Sequence, residues 1–135
     1  GLTVNYRGDV TTPCLLDADA VTQILANLFS NIEKYVPNGI VTIDAWFDSS
    51  FLVITVADQG PGIPAREAER IFQPFERLDG RINEGVTGTG LGLSISRELA
   101  IGMGGALRLV PSQSGASFEL RVPASIAFSS AKAIA

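Results

Sequence analysis

Apolar residues along this chain recur with two different periods. From Val21 they return at Ile24, Leu25, Leu28 and Ile32, the spacing of a helix that buries one face. Asp17 precedes that run as an N-cap, Asp19 adds negative charge to the first turn, and Pro37-Asn38-Gly39 breaks the pattern. Leu2 to Tyr6 alternates weakly, as an edge strand does. Arg7-Gly8-Asp9 then reads as a turn, and Cys14-Leu15-Leu16, beyond Pro13, as a short second strand. Val41 to Phe47 alternates, Asp48-Ser49-Ser50 turns, and Phe51 to Ala57 is almost wholly apolar and β-branched. That predicts a hairpin whose second strand is buried. A short helix is expected over Ala65 to Ile71. Leu91, Leu93, Ile95 and Leu99 predict a longer one that ends near Gly102-Met103-Gly104-Gly105. Ala106 to Val110 and Ala116 to Val122 then predict a last hairpin turning at Pro111 to Gly115. The stretch from Ala124 to Ala135 is small-residued and expected to fray. No internal repeat interrupts residues 1–123, which read as one domain.

Three places on this framework carry candidate chemistry. The buried strand ends at Asp58, and Gly60 and Gly62 follow at once. Glycine lets a ligand or another backbone come close. Gly88-Thr89-Gly90-Leu91-Gly92-Leu93 opens the next long helix, and a glycine-rich turn at a helix N-terminus suits phosphate. Each cluster by itself equally describes an ordinary turn, and neither standard phosphate-loop spacing is present. The third place is a second stripe on the first helix, where Asn27, Asn31, Lys34 and Tyr35 share a face beside the apolar one. Asparagine is a poor helix-interior residue. These side chains form either a solvated flank or a site in which amide oxygens meet a hard cation such as Mg²⁺, Lys34 a phosphate and Tyr35 a base. Glu76 to Thr87, polar and aperiodic between the glycine clusters, has the place of a lid.

The totals narrow the function classes. With 135 residues and 46% apolar content the chain can bury a core. A net charge of −4 without a strong basic patch argues against a nucleic-acid surface. Cys14 has no second cysteine to pair with, so a reducing, cytoplasmic setting is the default. No apolar run is long enough to insert in a membrane, and no signal peptide is expected. The absence of histidine removes imidazole catalysis and ligation from this chain.

In order, Asn27-x-x-x-Asn31-x-x-Lys34-Tyr35, Asp58-x-Gly60-x-Gly62, Phe72-x-x-Phe75 and Gly88-Thr89-Gly90-Leu91-Gly92-Leu93 closely resemble the asparagine, first glycine, phenylalanine and second glycine boxes of bacterial sensor histidine kinases. The resemblance runs from about Asp17 to Pro123. It implies an α/β two-layer sandwich, with a mixed, mainly antiparallel sheet of about five strands backed by about three helices. It also implies ATP and Mg²⁺ as ligands. Asp58 would bind the adenine amino group, with Gly60, Gly62, Ile63, Phe75 and Tyr35 around the base. Asn31 would hold Mg²⁺ with help from Asn27, Lys34 would reach phosphate, and Gly88, Thr89, Gly90, Leu91, Gly92 and Leu93 would cradle it. Arg77 matches the lid arginine that neutralises the γ-phosphate. Asn31, Lys34 and Arg77 are thus the expected catalytic residues.

In that family the phosphoacceptor histidine lies on a separate helical dimerisation domain, N-terminal to this one. The resemblance therefore implies a catalytic half of a longer, homodimeric protein, membrane-anchored or not, that serves a downstream response regulator. Departures are modest: Ile32 stands where alanine is usual, Val36 where threonine or serine is frequent, Met103 where histidine is common, and Ala116 where a small hydroxyl residue is frequent. Two other functions compete: an ATPase switch of the gyrase or heat-shock chaperone type, and a nucleotide-binding pseudokinase. The switch ATPases need a glutamate base one helical turn before the metal asparagine; here that position is Asn27.

Overall fold

A computed structural model describes residues 3–8, 14–36, 39–74, 92–112 and 115–126. The strands are β1 (Thr3–Tyr6), β2 (Cys14–Leu15), β3 (Ile40–Asp48), β4 (Phe51–Ala57), β5 (Ala106–Val110), β6 (Ser117–Pro123) and β7 (Ser125–Ile126). The helices are α1 (Ala18–Tyr35) and α2 (Gly92–Gly102), with 3₁₀ turns at Ala65–Glu67 and Arg70–Phe72. Five strands form one mixed sheet in the order β1-β3-β4-β6-β5. β1 runs parallel to β3, and every other pair is antiparallel. Helices cover one face of the sheet, so the architecture is the expected α/β sandwich.

The two periods of the sequence explain the two layers. Val21, Ile24, Leu28 and Ile32 are buried on α1, with Leu25 half-buried beside them. They pack in one core with Val41 of β3, Leu52, Ile54 and Val56 of β4, Phe118, Leu120 and Val122 of β6, and Leu107 of β5. The register aligns these apolar positions, with Val56 opposite Phe118 and Ile54 opposite Leu120. A one-residue slip would turn all of them to solvent. The Asp17 side chain caps α1 by accepting from the Ala20 N–H at 3.1 Å. The C-cap is Val36, whose N–H returns to the Ile32 carbonyl. The β3–β4 turn places Ser49 at φ 56°, the left-handed conformation that two-residue hairpin loops demand.

Two expectations are corrected. The helix foreseen at Ala65 to Ile71 is the pair of 3₁₀ turns. Pro64 begins the segment and only a few residues follow, too few to offset the cost of nucleating an α-helix. The fraying stretch does not begin at Ala124. That residue is buried, its N–H donates to the Ser50 carbonyl at 2.9 Å, and Ser125–Ile126 pair antiparallel with Cys14–Leu15. A two-residue strand such as β2 needs a partner, and the end of the sheet supplies it. Residues 127–135 lie outside the described residues.

Candidate functional site

β4 buries Leu52, Ile54 and Val56 on the helix-covered face, with Val53 buried behind them, and ends by presenting Asp58, which is only 8% exposed. A buried carboxylate must be hydrogen-bonded, and two backbone donors meet this one. The Gly60 N–H reaches Oδ1 at 2.9 Å and the Ala116 N–H reaches the same oxygen at 3.0 Å. The Asp58 N–H donates in turn to the Ala116 carbonyl at 2.9 Å. Oδ2 accepts nothing among the described residues. Among the described residues no fully buried side-chain oxygen goes unpaired, so Oδ2 retains solvent access.

Glycines make this turn possible. Gly62 and Gly115 hold φ of 82° and 70°, conformations that side chains resist. A Cβ on Gly115 would lie 2.0 Å from the Asp58 carbonyl oxygen, and one on Gly62 would lie 3.1 Å from the Gly115 oxygen. The loops before β6 and after β4 are therefore in backbone contact. Beside them, Ile63, Ala65, Ala68, Leu109, Gly115 and Ala116 line part of a cavity of about 300 Å³. Ile63 is half-buried against the core at its edge.

The end of α1 abuts the same turn. Val36 lies against both Gly60 and Gly39, and a Cβ on either glycine would come within 2.5 Å of a Val36 methyl. The departure at Val36 thus has a packing role that the sequence reading missed. Behind it along α1 come Lys34, exposed, and Asn31, half-buried. Neither makes a side-chain hydrogen bond or ion pair among the described residues. Their polar ends are free to meet a ligand. Tyr35 closes α1, but its side chain lies outside the described residues.

One turn before Asn31, Asn27 is tied to its neighbours. Its Nδ2 donates to the Ser96 Oγ at 3.0 Å and to the Gly92 carbonyl at 3.4 Å, and its Oδ1 accepts from the Gln23 amide at 3.0 Å. Gly92 is the first residue of α2 and Ser96 is wholly buried on it, so the asparagine flank of α1 lies against the start of α2. The Leu93 side chain packs on the core. The expected ligands Phe75, Arg77, Gly88, Thr89, Gly90 and Leu91, and the lid at 76–87, lie outside the described residues.

Leading toward Phe75, Phe72 is buried edge-on to Phe118, at 6.3 Å between centroids. Arg97 of α2 stacks over the Phe72 ring at 4.4 Å and forks onto Glu69 at 2.8 and 3.2 Å. The Arg97 guanidinium holds the Glu69 carboxyl below its ordinary range, first through these hydrogen bonds and then through its charge.

What the arrangement brings together is one carboxylate with an open oxygen, two amide side chains and a lysine along a helix flank, and the first described turn of α2 beside them. The family model for histidine kinase-, DNA gyrase B- and HSP90-like ATPases matches residues 16–126. The chain is similar to the sensor histidine kinase WalK of Bacillus subtilis, with 40% identity over 67% of this chain and 15% of that protein. It is also similar to the sensor histidine kinase RcsC of Escherichia coli, with 34% identity over 91% of this chain and 13% of that protein. It therefore spans less than a sixth of these relatives. Its fold is similar to mycobacterial sensor histidine kinase MprB, with a TM-score of 0.75 and 26% identity over 93% of this chain and 83% of that one. ShkA, in a structure complexed with AMPPNP, gives a TM-score of 0.79 and 29% identity over 94% of this chain and 26% of that one.

Proposed function

This chain belongs to the family of histidine kinase-, DNA gyrase B- and HSP90-like ATPases, and on that premise we propose that it is the ATP-binding catalytic domain of a two-component sensor histidine kinase. It transfers the γ-phosphoryl of ATP to a histidine on a separate dimerisation domain, from which a response regulator is served. Residues 16–126 form the working unit. The observation that carries this reading is the Asp58 carboxylate. Backbone N–H groups take Oδ1 and leave Oδ2 open, to accept from the exocyclic amino group of adenine. Guanine, with a carbonyl at that position, would set acceptor against acceptor. Gly62, Ile63 and Gly60 shape the wall of the base site. Asn31 and Lys34 supply an amide and an ammonium to the phosphates, joined by Gly92 and Leu93 through their backbone N–H groups.

The donor set fits Mg²⁺. Asn27 and Asn31 stand one helical turn apart, and neutral amide oxygens suit a hard cation that keeps its waters and leans on phosphate. Bound there, Mg²⁺ neutralises charge on the phosphates. Lys34 adds a fixed positive charge, and such positioning and neutralisation are most of what phosphoryl transfer requires. Asn27 cannot abstract a proton from water, which disfavours the switch-ATPase reading.

Asp58→Asn tests the assignment cleanly. The new Oδ1 still accepts from Gly60 and Ala116, while an amide N–H replaces Oδ2 and faces the adenine donor. Losing a hydrogen bond to a charged group costs about 1.5–3 kcal/mol, so ADP should bind roughly ten- to a hundred-fold more weakly with the melting temperature little changed. Calorimetric titration that finds equal affinity in variant and wild type overturns the reading.

A further inference from the structure

Ser96 is a polar residue where packing asks for none. It is 0% exposed, on the α2 face that meets α1, and Ala100, one turn on, is equally buried. Alanine would fill both positions with a better helix propensity. A buried hydroxyl is retained at no cost only if it is paired, and among the described residues the partner of this one is the Asn27 amide. The pairing has a direction. The Gly92 carbonyl can only accept, so the Asn27 group that faces α2 must be Nδ2. With Nδ2 committed to Ser96 Oγ and Gly92 O, Oδ1 is turned away from α2. Gln23, one turn earlier and exposed, donates to one Oδ1 lone pair and leaves the second open on the flank shared with Asn31.

We propose that Ser96 is a positioning residue: it fixes the amide of Asn27 so that an oxygen, not an N–H, is presented to the nucleotide-bound divalent cation. Without it the amide is held by the Gly92 carbonyl alone, at the longer distance of 3.4 Å, and can rotate to offer a donor instead. Outer-shell partners that orient metal ligands typically matter about 10–100-fold in metal affinity. Because the Gly92 contact survives, the lower end is expected here. The inference rests on the nucleotide reading above, but the two fail separately.

The test is ADP titration of the 135-residue chain, in excess MgCl₂ and in EDTA, for wild type, Ser96→Ala, Asn27→Ala and the double variant. Wild type should bind ADP more tightly with Mg²⁺. Ser96→Ala should match wild type in EDTA within about twofold yet lose about tenfold of the Mg²⁺ enhancement. In the Asn27→Ala background, Ser96→Ala should change nothing further, because it acts through Asn27. Should Ser96→Ala unfold the chain, Ser96→Cys, which keeps a weak acceptor in nearly the same volume, should show an intermediate loss of the same Mg²⁺ enhancement. No ADP binding by wild type overturns the nucleotide reading itself. Normal binding with an unchanged Mg²⁺ enhancement in Ser96→Ala, an equal loss in EDTA, or additive losses in the double variant overturns the role of Ser96 and leaves that reading standing.

Discussion

Gly115→Ala measures how much the site depends on backbone contact. Its φ of 70° costs an L-residue about 1–2 kcal/mol. The added methyl also meets the Asp58 carbonyl oxygen at 2.0 Å and Oδ1 at 2.7 Å. Neither neighbour can yield cheaply. The carbonyl belongs to the turn leaving β4, and Oδ1 is pinned by Gly60 and Ala116. Overpacking of this sort costs about 1–3 kcal/mol more, for a total of roughly 2–5 kcal/mol. That is a large share of the roughly 5–15 kcal/mol that stabilises a typical domain. Gly104 is the matched control. Its φ is 85°, but an added Cβ would meet only the Pro123 ring, at 3.5 Å. Gly104→Ala should therefore show the backbone cost alone, about 1–2 kcal/mol. At roughly 4 °C per kcal/mol, thermal melting should place the first variant about 8–20 °C below wild type and the second about 4–8 °C below. ADP affinity should fall in the first variant only, because only there is Asp58 displaced. Equal melting temperatures for the two variants, or undiminished ADP binding by folded Gly115→Ala, would refute the reasoning.

Other predictions concern charge and chemistry. Arg97→Met removes the fork to Glu69 and the cation over Phe72; urea unfolding should show a small loss of stability, most of it from the Phe72 contact because the Glu69 carboxylate is exposed, and no loss would mean the contact is idle. The Glu69 carboxyl is depressed in the folded state by Arg97, so its contribution is present above the unfolded value near 4.5 and disappears as pH falls through the lower folded value. The stability gap between wild type and Arg97→Met should accordingly narrow on acidification below that range, and a gap that widens there contradicts the sign. Incubated alone with γ-labelled ATP, the chain should acquire no acid-labile label, because it contains no histidine. Adding a histidine-bearing dimerisation domain should produce label on that domain, and Asn31→Ala should reduce it. ATP hydrolysis by the chain alone should be slow, since a general base typically contributes about 10²–10⁴-fold and Asn27 is none; brisk hydrolysis would favour the switch reading.

Periodicity carried most of the fold. The stripe from Val21 to Ile32 and the β-branched run into Asp58 each imply an element whose burial the structure reproduces, because one face of each must leave water whatever surrounds it. Pairing order was less accessible. Nothing local marks β1 as parallel to β3, or the two residues after Ala124 as the mate of β2, since both pairings join segments far apart in the sequence. Within the candidate site, Asp58 and Asn31 stand out in the sequence as residues out of character with their elements, and Lys34 as one that shares a flank with Asn31. Ser96, Val36 and Gly115 were not. A serine in a helix, a valine after one and a glycine in a turn look ordinary until another element arrives: Asn27 against Ser96, Gly60 against Val36, Asp58 against Gly115. A signal existed only for Ser96, as a hydroxyl on the face of α2 that also carries Ala100.

The pairing of β2 with β7 has a kinetic consequence. Its partners stand near opposite ends of the described chain, so the loop it closes contains nearly the whole sheet and both helices. Closure entropy grows only slowly with loop length, about 0.6 kcal/mol per doubling, yet a ladder of two residue pairs cannot offset it from an open chain. The strands can meet only once β4 and β6 are in register and Ala124 is seated by Ser50. This clasp therefore forms on the native side of the folding barrier. Cutting the chain before Ala124 should leave the refolding rate nearly unchanged and speed unfolding, making the small strand a brake on opening rather than a guide to assembly.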